Sequence, residues 1–240
     1  MNNNWLSENQ EQIDYYISSK DIILVERSRQ LKIFIDLFKF YFEKKEGLNL
    51  LDFGCGDGIL SKVIKNIYPT NNFYLLDGSE TMLNKAKENV NSSSISFIHS
   101  SFEDFIINSN EENKYDFIYS SMAIHHLEHH KKQELYSKFY TLLKFNGLFV
   151  NIDVVLPASK ITEDFQFKLW IDWINEEIEK NNLESEKNKH DNLPQVYKNK
   201  SENKPSSLLS QLSILENVGF KDVECYYKYG IFVLFGGRKL

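Results

Sequence analysis

Two cysteines, Cys55 and Cys225, are all the chain has, too few for a disulfide framework and not spaced as a zinc site. A reducing compartment is expected. Nowhere do about 18 apolar residues run together, as a membrane-spanning helix requires. The N-terminus MNNNWLSENQ has no basic region leading into an apolar one. The sequence therefore reads as a soluble, cytoplasmic protein with no membrane partner. Arginine is scarce: Arg27, Arg29 and Arg238 are the only three among 28 basic residues, leaving few groups for bidentate recognition of phosphate or carboxylate. The net charge of −6 argues against a general affinity for nucleic acid, which needs clustered positive charge to neutralise phosphates.

What is present suits a packed interior. Hydrophobic residues at 42% and aromatics at 14% exclude disorder of the whole chain, and 240 residues fit a single domain. Residues 5–46 carry apolar side chains three, four and seven apart (Leu24, Leu31, Ile35, Phe38) and no Pro or Gly, which predicts a helix. Gly47 stops it, and LNLLDF reads as a fully buried strand. A helix follows to Pro69, with Leu60, Val63, Ile64 and Ile67 on one face, and then the strand NFYLLD.

The alternation continues with helix 79–90 capped by Ser79, strand 95–99, a short acidic helix at FEDFI, strand 115–121, helix 128–144 and strand 147–156. Strands alternating with helices over short connections imply an α/β fold, a doubly wound parallel sheet with helices on both faces. Residues 157–206 break the rhythm. A helix with an aromatic stripe (Phe165, Phe167, Trp170, Trp173) leads into a polar stretch that reads as a flexible loop. Helix 207–217 and two strands meeting at Gly230 as a hairpin close the chain.

Chemistry concentrates in LLDFGCGDG. Asp52 precedes Gly54, Cys55, Gly56 and Gly58 where the first strand ends, the point at which a doubly wound sheet receives its ligand. Glycine there lets main chain approach a bound molecule. A dinucleotide fingerprint needs a third Gly three residues after the second, and that position is Ile59. Asp77, with Gly78 behind it, ends the second strand 19 residues after Gly58, where a carboxylate accepts both hydroxyls of a ribose.

An acidic residue followed by G-x-G-x-G resembles the first motif of the class I S-adenosylmethionine (SAM) dependent methyltransferases. The resemblance is strong over residues 48–156 and moderate over 207–240. It implies a Rossmann-like, mostly parallel seven-stranded sheet with an antiparallel C-terminal hairpin, with SAM as cofactor and S-adenosylhomocysteine as product. It implies roles for residues too: Asp52 for the amino group, Asp77 for the ribose, Ser101 and the Phe102 N–H, or Glu103 or Asp104 in their place, for the adenine, and Ser120 and Ser121 beside the methionine part. Ser100 and Ser101 stand where the family commonly has Gly and Asp, and Asn146 and Gly147 replace part of its frequent Pro-Gly-Gly turn.

The stretch HHLEHH invites a metal reading, yet spacing supplies no acidic third ligand. Its first pair, His125 and His126, follows the fourth strand beside the expected methyl donor and suits a general base as well as a packing role. The whole reads as one domain, residues 1–240, a SAM-dependent methyltransferase acting on a small-molecule acceptor. Residues 1–46 are expected to form an N-terminal helical lid and 157–206 a cap over substrate. Three alternatives are carried: methylation of RNA, such as a tRNA wobble uridine, through the Lys-rich residues 180–204; a SAM-binding sensor or partner subunit without turnover; and a dehydrogenase, which Ile59 disfavours. The oligomeric state is not legible.

Overall fold

Short apolar runs bounded by turns favour strands buried on both faces, and the computed structural model, which describes residues 19–90 and 92–240, has them at the centre. The strands are β1 (Asn49–Phe53), β2 (Asn72–Asp77), β3 (Ile95–His99), β4 (Tyr115–Ser121), β5 (Leu143–Val154), β6 (Lys221–Tyr229) and β7 (Phe232–Arg238). They form one seven-stranded sheet in the order β3-β2-β1-β4-β5-β7-β6. The pairs β1/β2, β2/β3, β1/β4 and β4/β5 are parallel, while β7 lies antiparallel between β5 and β6. Strand order reverses between β1 and β4. Ligands of open α/β sheets bind beyond the carboxyl ends of the strands at such a point.

Helices cover both faces. On one face α1 (Arg27–Phe42), α2 (Ile59–Ile67) and α3 (Glu80–Asn89) pack Phe34, Phe38, Leu60, Ile64, Leu83 and Ala86 against Leu50, Phe73 and Phe117. On the other, α4 (Phe102–Asn108), α5 (His129–Leu142) and α8 (Leu208–Val218) bury Phe105, Leu135, Phe139 and Leu215 against Leu51, Phe53, Ile118 and Phe149. A third cluster joins Leu24 and Val25 to Trp170, Ile174 and Ile178 of α6 (Lys160–Lys180) and to Phe232. Among the described residues no helix is long and apolar enough to cross a membrane.

Three expectations need correction. The helix expected over 5–46 is interrupted in its described part: residues 19–23 are helical, Glu26 adopts φ 45°, and α1 starts at Arg27. Residues 5–18 of that expectation lie outside the described residues. Its buried face is Gln30, Phe34, Phe38 and Phe42, with Leu31 and Ile35 half-buried, because a stripe of large rings shifted in phase buries more apolar surface. Second, β5 starts at Leu143, four residues before the expected Gly147. Third, the expected loop after α6 holds a helical turn at Glu184–Glu186 and α7 (Leu193–Asn199), whose first turn contains Pro194, a position where the missing N–H costs nothing.

Candidate functional site

The site is built on the turn between β1 and α2. Gly54 and Cys55 donate their N–H groups to the Leu76 carbonyl, both at 2.8 Å, which ties the end of β1 to β2. Gly54 has φ +73°, and a Cβ built there would lie 2.4 Å from the Ala123 Cβ. Backbone and neighbour both demand glycine. Gly56, at φ +53°, has nothing within 4 Å of the same construction, so its backbone faces open cleft. Gly58 instead packs against Ala86, Val90 and Leu75 and lets α2 approach α3.

Three carboxylates surround this loop. Asp77 accepts the Gly56 N–H (2.8 Å) and the Ser79 N–H (2.9 Å), which fixes its plane at the tip of β2. Burial pushes its carboxyl up, and the backbone donors pull against that. Asp52 is buried and accepts the Ser61 hydroxyl at 2.6 Å, and Ser61 in turn meets the Tyr119 hydroxyl at 2.7 Å. Burial raises Asp52 to about 7, the Ser61 hydrogen bond opposes it, and the charges of Asp77 and Asp57 add to the rise. Asp57 is buried too and is held by Lys20 at 2.6 Å.

The Asp52 shift has a consequence for stability. Its folded-state value lies above the ordinary 3.8, so the folded protein holds this proton more tightly than the unfolded chain. Stability is therefore lost as pH rises from about 4 to about 7. Asp52→Asn is isosteric and removes that loss. It is expected to raise Tm by a few degrees near pH 8 and to leave it almost unchanged near pH 4, measured by differential scanning fluorimetry.

A cleft opens above the loop. Its floor is Asp52, Gly54 to Asp57, Ile59 and Leu60; Lys20, Leu24, Arg27, Gln30 and Leu31 form one wall, and Ser121, Met122, Ile152 and Phe232 the other. Met122 has φ 54°, a conformation costing a non-glycine residue about 1 to 3 kcal/mol, and such strain gathers at functional sites. No sequence signal marks it. Asp57 stands inside the glycine motif and was legible as a neighbour of the site. Ser61, Tyr119 and Lys20 were not.

Other expected residues lie elsewhere. The Ser120 hydroxyl is buried and donates to the Phe53 carbonyl at 2.7 Å, tying β4 to β1, and the cleft-lining serine is Ser121. Ser101 caps α4, accepting the Asp104 N–H at 3.0 Å and donating to the Asp104 carboxylate at 2.7 Å. The Phe102 ring stacks on Phe53 at 4.4 Å, beneath Gly54. The Gly78 carbonyl meets His99 Nε2 at 3.1 Å.

The histidines stand behind the cleft wall. Asp153 at the end of β5 accepts His125 Nδ1 (2.5 Å), its backbone N–H (2.9 Å) and the Val154 N–H (2.9 Å). His126 Nδ1 meets the Glu202 carbonyl at 3.2 Å and His129 Nδ1 the Ser206 hydroxyl at 3.1 Å. Lys132, buried and lowered to about 8 by that burial, donates to the Lys204 carbonyl and to Ser206. The His125 carbonyl accepts the Lys204 N–H. The HHLEHH stretch and Lys132 thus clasp the loop that returns from α7 to α8. Of the aromatic stripe, Trp170 is buried, its indole N–H on the Ile23 carbonyl at 2.7 Å, whereas Phe165 is 59% exposed.

Residues 50–147 match the model of a family described as a methyltransferase domain. They are a class I, SAM-dependent methyltransferase domain. Malonyl-[acyl-carrier protein] O-methyltransferase 1 of Ilyobacter polytropus is 33% identical over 109 residues, 45% of this chain and 38% of that protein. The chain covers only 37% to 45% of the length of the curated relatives it matches. In fold, the chain resembles an O-methyltransferase family protein from Burkholderia thailandensis (TM-score 0.66, 12% identity, 98% of this chain and 61% of that one). It also resembles phosphoethanolamine N-methyltransferase 2 of Haemonchus contortus in complex with SAM (TM-score 0.61, 18% identity, 92% and 45%). At these identities the likeness extends to the fold alone.

Proposed function

We propose that this methyltransferase moves the methyl group of SAM to a small-molecule acceptor, releasing S-adenosylhomocysteine. The observation that carries the reading is the charge of the cleft floor. Asp52 and Asp57 lie in the cleft floor, Asp77 at the tip of β2 holds the Gly56 N–H beside it, and the charges of Asp77 and Asp57 add to the rise that burial gives the Asp52 carboxyl. Carboxylates crowded in this way repel a pyrophosphate and draw a cation. The donor set therefore fits a ligand with an ammonium, a sulfonium and a sugar diol.

When bound, SAM supplies a methyl group made electrophilic by its positive sulfur. The chain's own residues do the rest. Asp77 accepts the ribose hydroxyls, Asp52 faces the amino group, and the exposed backbone at Gly56 lets the ligand lie against the loop. At the adenine end, the first-turn N–H of Phe102 has no intrahelical acceptor, as at any helix start. Met122, Ile152, Leu24 and Phe232 make the cleft partly apolar, which favours alignment and exclusion of water over elaborate proton chemistry. Where an acceptor must lose a proton, His125 suits the task better than His126, once the wall that buries it moves aside. Asp153 accepts backbone N–H groups and so acts as an acceptor toward Nδ1, leaving Nε2 as the basic nitrogen, whereas burial holds His126 well below the ordinary histidine range.

A small acceptor is favoured over RNA because many Lys of the insert already face carboxylates: Lys180 with Glu177, Lys187 with Glu184, Lys189 with Glu186 and Lys198 with Glu163. On this reading residues 19–46 wall the cleft as a lid. Residues 157–206 support that wall through Trp170 as part of a single domain. The O-methyl transfer named for the Ilyobacter relative supports oxygen as the attacking atom. Isothermal titration of the purified chain is expected to give heat with SAM and none with NAD; the opposite result overturns the assignment. Accumulation of S-adenosylhomocysteine across an acceptor panel separates an enzyme from a binding module.

A further inference from the structure

The cleft that would receive SAM already holds a cation. Lys20 Nζ lies 2.6 Å from Asp57 Oδ2, and both side chains are only 11% exposed. Lys20 comes from the helical residues 19–23, while Asp57 sits between Gly56 and Gly58, 37 residues further along the chain. Both line the cleft. The other cleft-lining cation, Arg27, is turned toward Asp21, which is 75% exposed on the outer side of the wall. Lys20 is thus the charge that compensates the acidic floor.

Room is the second observation. The enclosed space in the cleft is about 70 Å³, whereas small-molecule pockets run to roughly 300–1,000 Å³. Lys20 takes up part of that space, against Asp57. Charge is the third. SAM brings an ammonium and a sulfonium, the same sign and the same kind of group as the Lys20 ammonium, to the same carboxylates.

Resting on the SAM reading above, we propose that Lys20 is an internal competitor for the cofactor site, an ammonium that SAM must displace from Asp57 and that returns when the product leaves. Loss of the methyl group makes the sulfur neutral, so S-adenosylhomocysteine carries one positive charge fewer than SAM. The acidic floor holds the product less strongly, and Lys20 competes against it more effectively. The device therefore links wall opening to cofactor entry and favours product release after transfer.

The test is isothermal titration of the full chain and its Lys20→Met and Lys20→Arg variants with SAM and with S-adenosylhomocysteine, each first checked for folding by circular dichroism. Lys20→Met is expected to tighten SAM binding about tenfold and product binding by less, because an uncompensated floor rewards each ligand charge. Lys20→Arg keeps the charge and is expected to stay near the parent. Unchanged or weaker SAM binding in Lys20→Met overturns the proposal. A second measurement does not depend on the variants. Amine acetylation of the parent chain, read by mass spectrometry, is expected to show Lys20 protected alone and reactive with SAM bound. Continued protection at saturating SAM overturns the proposal while leaving the cofactor assignment intact. Absence of SAM binding in the parent and both variants overturns the cofactor assignment and this inference with it.

Discussion

Asp77→Ala is expected to weaken SAM binding by at least about 100-fold, because two charge-assisted hydrogen bonds to a ribose diol contribute roughly 1.5 to 3 kcal/mol each. The carboxylate is fixed before any ligand arrives: one oxygen accepts the Gly56 N–H and the other the Ser79 N–H. Little ordering remains to be done at binding, so most of the interaction appears as affinity. Asp77→Asn keeps one acceptor oxygen and loses the charge, and an intermediate loss is expected. Isothermal titration reads both. Unchanged affinity in Asp77→Ala would place the sugar elsewhere and remove the basis of the proposed function.

Gly54→Ala is expected to be the most damaging single methyl group added to the site. The new Cβ would stand 2.4 Å from the Ala123 Cβ and 3.2 Å from the Phe102 ring, at φ +73°. The left-handed conformation costs about 1 to 2 kcal/mol in a non-glycine residue, and overpacking adds about 1 to 3 kcal/mol. Neither Ala123, held just beyond β4 at the start of the Ile124–His126 turn, nor the Phe102 ring, stacked on Phe53, can easily withdraw. A fall in Tm of about 10 °C follows for a domain of this size. Gly56→Ala is the control. Its Cβ would touch nothing, so only the backbone term applies, and the loss of Tm is expected to be less than half as large. SAM affinity is expected to fall in both, since each puts a methyl group into or beneath the backbone that the ligand lies against.

The two variants also mark where local pattern stops being informative. Spacing placed glycines at 54, 56 and 58 at a strand end and so marked a candidate site. It does not say that Gly54 yields to Ala123, Gly56 to open cleft and Gly58 to α3. Those neighbours come from the turn after β4 and from α3, distant in the chain. Ser120 and Ser121 make the same point. Either could face the ligand, and the phase of β4 in the sheet sends Ser120 to the Phe53 carbonyl and leaves Ser121 to line the cleft. Alternation along a strand is visible in a sequence, but which phase points inward is set by what the strand packs against.

HHLEHH shows how a local pattern can suggest a site while tertiary contacts use it otherwise. Histidines four apart share a helical face, which is all that spacing reveals. Glu202 and Ser206 reach His126 and His129 from more than 70 residues away and take their Nδ1 hydrogen bonds, while Lys204 and Ser206 take those of Lys132. Asp153 was overlooked for a related reason. An Asp inside an apolar strand gives no local signal of its partner, and His125 lies 28 residues before it.

By itself the sequence determined the α/β class, the succession of seven strands along the chain, and a glycine turn at a strand end with Asp52 before it and Asp77 across from it. All of these rest on periodicity, turn chemistry and strand ends, which act over a few residues. Only the tertiary structure decided which serine meets the cleft, which groups bind the histidines, and that Lys20 lies against Asp57. Contacts between segments depend on how faces of the sheet and its helices pack together, and no spacing along a chain records that.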